Sequence, residues 1–490
     1  MFNPKTILSR IMHIEPKRRQ SIVSLITILG LTIIGFISTM YFAHTVSKDI
    51  LGTYYLFLAY YGILNLIGDA GFGGATVKRI SEGKDQNQFF SAFIVLRVIL
   101  LTISITALLL ARPLLMDLDQ HGMFYWLMIA LVIGVFFSIV SNGNYGSGKV
   151  GINQICGFLN SAIRIIIQVI AVSLGYYTAG LAGGFVFGMI AGTIISLCFL
   201  NLHPTSFKSY HLKSLFSFSF WIFLSSSGLL VFGYMDTILI GYFLDNADVA
   251  VYRIAFQLTT VATFTTLAIR TVLYPNISNW SANNQYNRIE YSLTKGFTYS
   301  LLLALPVFVG GLLLGDRLLY FFYGASFVQG TQALYILLAA QVANVFMFLQ
   351  TMCLNAMNRP KESFKITAVA SITNILMNLI LIPVLGITGA SIATLLSITL
   401  NAVLAYYILR KKIKVRLEYS SLRNILISLA VMGVFISIYC LIVPLSTVWL
   451  TLIPILVGGI IYGVILIKLD EKIYNELQDL LFKMGIVSPK

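Results

Sequence analysis

Ser21-Ile-Val-Ser-Leu-Ile-Thr-Ile-Leu-Gly-Leu-Thr-Ile-Ile-Gly-Phe-Ile-Ser-Thr-Met-Tyr-Phe-Ala-His-Thr-Val-Ser47 contains no Arg, Lys, Asp or Glu, and Lys17-Arg18-Arg19 stands just before it. A helix needs about 20 mostly apolar residues to cross the hydrocarbon of a bilayer. This run is long enough, and it exceeds the apolar core of a secretory signal, which is about 7–15 residues. It reads as a retained first membrane-spanning helix.

Working outward from 20–45, further apolar segments follow at 50–70, 89–111, 122–141, 156–175, 179–200, 214–243, 249–274, 293–314, 331–353, 364–384, 387–409, 424–442 and 447–467. The expectation is an all-α integral membrane protein with about fourteen transmembrane helices. The composition agrees. Only 10% of the residues are charged and 58% are hydrophobic, against about 25% charged in a soluble domain, so lipid must be the main solvent. The adjoining spans at 175–179 and 384–387 have almost no loop between them.

Alternate loops differ sharply in charge. With the N-terminus inside, twenty-six of the 33 Lys and Arg fall on the inner side, from Lys5, Arg10 and Lys17 to Lys483 and Lys490. Lys48, Arg112 and Arg317 fall outside, and four arginines lie within spans. Cytoplasmic loops carry the excess of basic residues, so both termini are expected in the cytoplasm and the protein in the cell (inner) membrane. One span too many or too few would scramble this asymmetry. The net charge of +15 is thereby assigned to topology and to anionic membrane lipids, not to nucleic acid. No loop exceeds roughly 20 residues, and no Walker-type motif is present. Cys156, Cys198, Cys353 and Cys440 lie in apolar segments without ligand spacing. They read as core residues, with no disulfide framework, metal or cofactor expected.

Two short echoes recur about six spans apart. Leu51-Gly-Thr-Tyr54 answers Val249-Ala-Val-Tyr252, and Gly180-Leu-Ala-Gly183 answers Gly386-Ile-Thr-Gly389. Chance recurrence of common interface residues is one reading. The other is an internal repeat, in which a shift of six spans keeps orientation. It predicts two six-helix lobes related by a pseudo-two-fold along the membrane normal, at 1–203 and 204–412, with substrate between them. Residues 413–490 would add two helices and a cytoplasmic tail.

Charged residues inside a membrane are costly, and each is a functional candidate. The cations are Arg97, Arg164, Arg253 and Arg270, and the acids are Asp69 and Asp236. Arg253 lies close enough to the outer interface to snorkel. Arg164, near the middle of its span, is the hardest to explain as structure, although a buried pairing remains the alternative. Asp69 and Asp236 are candidates for ion coupling or for charge pairing. Helical spacing places several polar groups on single faces. These are Tyr61, Asn65 and Asp69; Asn160, Arg164 and Gln168; Arg253, Gln257, Thr260, Thr263, Thr266 and Arg270; and Thr367, Ser371, Asn374 and Asn378. Isolated polar residues in a bundle usually join helices. Several full-height stripes suggest a shared hydrated cavity, more cationic than anionic. Arginine suits phosphate oxygens, and Asn, Gln and Thr suit sugar hydroxyls.

Four further motifs carry a resemblance. They are Gly68-Asp-Ala-Gly-Phe-Gly-Gly-Ala-Thr-Val-Lys-Arg-Ile-Ser81, Met235-Asp-Thr-Ile-Leu-Ile-Gly-Tyr-Phe-Leu244 followed by Val249-Ala-Val-Tyr-Arg-Ile-Ala-Phe256, Leu273-Tyr-Pro275, and Ile382-Pro-Val-Leu-Gly-Ile-Thr-Gly-Ala-Ser-Ile-Ala-Thr394. In order and spacing, the chain resembles the polysaccharide-transporter, O-antigen flippase-like family of the multidrug/oligosaccharidyl-lipid/polysaccharide exporter superfamily. The resemblance implies two six-helix lobes around a cationic cavity. It also implies transfer of a polyprenyl-(pyro)phosphate-linked oligosaccharide to the outer leaflet by alternating access. Relatives that flip the peptidoglycan precursor carry essential charges in their first span, and this chain has none there. Arg270 lies where several relatives carry a cavity arginine.

The expected binding residues are therefore Arg97, Arg164, Arg270, Arg253, Asn160, Gln168, Gln257, Asn374 and Asn378. The expected partners are the lipid-linked oligosaccharide, membrane lipids and other glycan-assembly proteins. A cation-coupled multidrug exporter of the same superfamily is the alternative, but it would want an acidic cavity. A membrane glycosyltransferase or polymerase would need a carboxylate in an outer loop. Asp117-Leu-Asp119 is the one candidate for that, so a non-enzymatic transporter is preferred.

Overall fold

The computed structural model describes residues 16–483. The basic residues Lys5, Arg10 and Lys490 used in assigning topology lie outside the described residues. Among those described, all regular structure is helical, and ten helices are long and apolar enough to cross a membrane. One of the ten is the 50-residue helix Pro360–Leu409, which breaks at Gly386 and supplies two spans. The arrangement is consistent with fourteen crossings.

The chain divides into two compact units. The first takes everything up to Gly241 together with Asp245–Ala250, and the second takes Tyr242–Leu244 and everything from Val251 on. The first unit is built from α1 (Pro16–Thr45), α2 (Lys48–Asp69), α3 (Phe72–Ser81), α4 (Gln86–Leu110), α5 (Met116–Gln120), α6 (Met123–Gly146), α7 (Val150–Ser173), α8 (Tyr177–Leu197) and α9 (Ser209–Phe243). Ser47 caps α2 by accepting a hydrogen bond from the Ile50 N–H at 3.3 Å, which satisfies one of the donors a helix start leaves open. The short α3 lays its apolar face, Phe72, Ala75 and Ile80, on Phe89, Phe90 and Phe93 of α4 and on Val135 and Ile139 of α6. Helix α9 packs along α2, where a Cβ at Gly62 would strike the Tyr234 ring and one at Gly241 would strike Leu56.

The expected tight hairpin after α7 is present. Gly175 takes φ of 87°, its N–H bonds the Val172 carbonyl at 3.0 Å, and the Tyr176 N–H bonds that of Ala171 at 2.9 Å. Only glycine enters that left-handed conformation without strain, so the chain can reverse in the three residues Leu174–Tyr176.

The second unit contains α10 (Asn246–Thr259, which begins in the first unit), α11 (Phe264–Ala282), α12 (Tyr286–Tyr323), α13 (Thr331–Ala356), α14 (Pro360–Leu409), α15 (Tyr419–Ile442), α16 (Val448–Leu469) and α17 (Glu471–Lys483). Its core joins Phe297 and Leu301 of α12 to Val345, Leu349 and Met352 of α13 and to Ala405 and Leu409 of α14. In α14, Pro383 removes a backbone donor and Gly386 takes φ of 60°, so the two halves fold back with Gly389 against the Leu381 carbonyl. Large apolar side chains such as Leu110, Val384 and Leu441 are largely exposed. In water they would be a liability, and against acyl chains they are not.

A polar clasp closes the lysine-rich end of the second unit. Glu418, half-buried before α15, accepts from Lys472 at 2.6 Å and pairs with Lys295 at 3.4 Å. Lys295 also reaches Glu476 of α17 at 3.0 Å. Asn424 of α15 donates to the Leu469 carbonyl and to Asp470, at 3.1 and 3.2 Å. Burial alone would raise the Glu418 carboxyl, but the Lys472 hydrogen bond and the Lys295 charge overcome it and hold the group below the usual range.

A carboxyl whose pKa falls on folding stabilises above its unfolded value, near about 4.3 for Glu, and loses that contribution as pH drops through its folded value. Glu418→Gln should therefore cost about 1–2 kcal/mol at pH 7. The gap to the native protein should shrink as pH is lowered below about 4.3. Thermal unfolding of both proteins across pH checks this, and a gap independent of pH would count against the clasp.

Candidate functional site

In the first unit the structure brings Asp69 and Arg97 together. Helix α2 ends in the turn Asp69-Ala70-Gly71, with Ala70 at φ of 45° and Gly71 at 79°. The Asp69 carboxylate accepts from the N–H of Gly73 at 3.2 Å, and so caps α3. A Cβ at Gly73 would lie 2.8 Å from that carboxylate, and one at Gly71 would run into the Ser219 carbonyl. Two glycines of the quoted motif are thus explained by close approach. The Arg97 guanidinium, 1% exposed, lies 3.5 Å from Asp69 and donates to Asn65 at 3.3 Å. Tyr61, Asn65 and Asp69 share one face of α2, and the lower part of that face holds an arginine of α4.

Asn160, Arg164 and Gln168 lie along the seam between α7 and α8. Opposite them stand Gly184, Gly188 and Gly192, also at four-residue steps. A Cβ at Gly188 would lie 2.7 Å from the Arg164 Cβ, and one at Gly192 would lie 2.9 Å from the Asn160 Cβ. Small residues at this spacing let two membrane helices pack backbone to backbone. The side chains then divide. Gln168 is buried and donates to the Tyr54 hydroxyl and the Leu181 carbonyl, both at 2.7 Å. Arg164 stays half-buried, with its guanidinium 6.0 Å from the Phe185 ring and its Nε without a hydrogen-bond partner. The glycine row was readable in the sequence as a repeat of four, and it marks the face of α8 that meets α7.

In the second unit the stripe on α10 and α11 is not one continuous helical face. A 3-10 turn, Thr260–Thr263, separates the two helices, so Arg253 and Gln257 stand on one helix and Arg270 on the next. The threonine hydroxyls between them turn back on the chain: Thr259 donates to the Phe256 carbonyl, Thr260 to Gln257 and Thr263 to Thr260, at 2.7–2.8 Å. Short polar side chains compete for local carbonyls in this way and bend helices. Arg253 and Gln257 are half-buried, with Arg253 5.5 Å from the Phe256 ring. Arg270 is half-buried with its guanidinium 4.9 Å over the Phe348 ring. Cation–π contact of this kind is worth about 0.5–2 kcal/mol and leaves the donors of the guanidinium available.

Asn374 and Asn378 are fully buried, and Asn378 donates to Asn374 at 3.1 Å. Thr394, Ser397 and Asn401 on the other half of α14 are buried as well. These side chains lie inside the unit, off any open face. Asp236 is buried in the first unit, 3% exposed. Asp119, half of the Asp117-Leu-Asp119 pair expected in an outer loop, is bound by Arg112 at 3.0 Å. Among the described residues no His, Cys, Asp and Glu cluster could hold a metal.

The four arginines therefore differ in kind. Arg97 is sealed and paired with Asp69. Arg164 and Arg270 each lie against an aromatic ring, and among the described residues neither has a carboxylate in ion-pair range.

Comparison with known proteins gives a family and a fold. The family model described as polysaccharide biosynthesis protein matches residues 18–281, more than half of the chain. The model described as MatE matches residues 222–380. The chain is similar to the probable low-salt glycan biosynthesis flippase Agl15 of Haloferax volcanii, at 26% identity over 91% of this chain and 94% of that protein. It is also similar to the probable flippase AglR of the same organism, at 26% identity over 92% and 95%. Its fold is that of the lipid II flippase MurJ in an inward closed conformation, with a TM-score of 0.75, 17% identity, and coverage of 93% of this chain and 99% of that one.

Removing one partner of a buried pair strands the other charge, at a cost of about 3–5 kcal/mol. Asp69→Ala should destabilise the protein by about 3 kcal/mol, whereas the joint replacement Asp69→Leu with Arg97→Met should recover most of the loss. Denaturation of the single and double variants tests this, and equal losses in both would overturn the pairing role. Gly188→Leu should separate α7 from α8 and lower the thermal midpoint, with Gly157→Leu, which has open space around it, as the control.

Proposed function

We propose that this chain, which belongs to the polysaccharide biosynthesis protein family, is a flippase that carries a polyprenyl-(pyro)phosphate-linked oligosaccharide across the cytoplasmic membrane. One observation carries the reading. Arg164 and Arg270 stand within spans, half-buried, each against an aromatic ring and without an anionic partner among the described residues. A cation held this way inside a membrane is tolerable when its counter-charge arrives with the substrate. The phosphate groups supply that charge, and the planar guanidinium forks suit their oxygens. Asn160 and Gln257, both half-buried, offer amides to sugar hydroxyls, while the polyprenyl tail stays in lipid. Access alternates between the two faces of the membrane, and no covalent bond is made or broken. The names of the two Haloferax relatives, a glycan biosynthesis flippase and a flippase, support the same substrate class.

The orientation belongs to this proposal. The excess of Lys and Arg in one set of loops supports a cytoplasmic side for both termini, the clasp at Glu418 and the basic segment Arg410–Arg416. The glycan is then loaded on the side where it is built and released outside.

Arg164→Ala or Arg270→Ala should reduce glycan export at least tenfold, with normal amounts of protein in the membrane. Lipid-linked oligosaccharide should accumulate on the inner leaflet. Full export by the double variant would sink the proposal. The match to the MatE model favours a second reading, a cation-coupled drug exporter. Such a protein needs acidic groups for cationic substrates, but Asp69 is bound to Arg97 and the in-span arginines outnumber the acids. Drug resistance on expression, with glycan export unaffected, would favour that reading.

A further inference from the structure

The second unit holds a cavity of about 700 Å³ where α12, α13 and α14 meet the segment that leads into α15. Phe297, Phe346, Tyr406 and Tyr419 give it an aromatic wall. Two polar groups reach it. Gln350 is 4% exposed, and its side-chain carbonyl oxygen has no hydrogen-bond partner. Arg416 lies on the mouth as the one charged residue of the lining. Neither is part of the arginine sites described above.

The surroundings leave Arg416 without a counter-charge. Two carboxylates that hold this segment are already engaged. Glu418 is bound by Lys295 and Lys472, and Glu290 accepts the Lys414 N–H at 2.7 Å. The same bonds hold residues 414–418 in place, so the clasp that closes this end of the unit also forms one wall of the cavity. Arg410, Lys411, Lys412 and Lys414, all exposed, add to the positive potential around the mouth.

A buried acceptor without a donor costs about 1–3 kcal/mol and points to a guest that brings a hydrogen. An uncompensated guanidinium points to an anion, above all a phosphate ester. An aromatic wall points to an apolar body beside the anion. The end of the spans, where Tyr406 and Tyr419 lie exposed, is the level of lipid headgroups. We propose that this cavity binds the headgroup of an anionic glycerophospholipid of the cytoplasmic leaflet. In this site Arg416 holds the phosphate, Gln350 accepts a hydrogen bond from a headgroup hydroxyl, and the first methylenes of an acyl chain lie on the rings. The site includes neither Arg164 nor Arg270, and it links the lipid composition of that leaflet to the segment pinned by Glu418.

The test uses the full chain in nanodiscs of phosphatidylcholine, which has neither net charge nor a headgroup donor, with phosphatidylglycerol added in steps. The thermal midpoint should rise and saturate with the phosphatidylglycerol fraction. The fraction at half-effect should increase at least fivefold in Arg416→Ala and at least threefold in Gln350→Leu. Arg423→Ala, which removes an exposed arginine outside the cavity, should leave the response unchanged and so separates the site from general surface charge. An identical response in all four proteins, or no response in the native protein, would overturn the proposal. Glycerol 3-phosphate added to phosphatidylcholine discs distinguishes the sources. Its failure to raise the midpoint supports a lipid guest, and an equal rise overturns the lipid in favour of a soluble phosphate ester.

Discussion

A charge or an unpaired polar group in hydrocarbon has no water to fall back on, and this constraint organises the interior of the protein. Each in-span polar residue must find its partner in the chain or in a substrate. Arg97 meets the demand within the protein, through Asp69 and Asn65. Gln168 meets it with a tyrosine hydroxyl and a backbone carbonyl, and Asn374 and Asn378 meet it in part through one bond between them. Arg164 and Arg270 meet it only in part, on the faces of Phe185 and Phe348. What these two lack among the described residues is an anionic partner, and the proposed substrate would bring one.

The backbone works under a related constraint. With lipid as apolar as leucine, burial drives no attraction between helices, so close packing has to. Gly184, Gly188 and Gly192 bring α7 and α8 to backbone contact. Gly175 and Gly386 take left-handed conformations that let neighbouring spans turn back without a loop. Where a helix departs from regular geometry, at Thr260–Thr263, hydroxyls cover the local carbonyls. The irregular backbone therefore stays satisfied inside the unit.

Outside the hydrocarbon, charge serves another purpose. Lys295, Glu418, Lys472 and Glu476 tie α17 and the start of α15 to α12. The last two spans are thereby anchored to the unit by ion pairs as well as by the apolar contacts of Leu314, Met432, Ile436 and Tyr462. The same tie forms one wall of the aromatic cavity near Arg416, which places a charged network and a proposed lipid site in mechanical contact.

The sequence by itself determined that the chain is a helical membrane protein and where its apolar segments lie, because the demand of lipid for apolar residues is local and additive along the chain. It also carried the family, since the order and spacing of four short motifs resembled the one whose model matches, and it marked each in-span charge as a candidate. The tertiary structure decided which polar faces are sealed and which stay half-open. That depends on how each helix is rotated against its neighbours, and no pattern within one helix records it. Arg97 and Arg164 look alike as single arginines in apolar runs. The side chains around them, Asp69 from the end of α2 in one case and a glycine row and a phenylalanine ring from α8 in the other, pair the first with a carboxylate and leave the second half-buried without one.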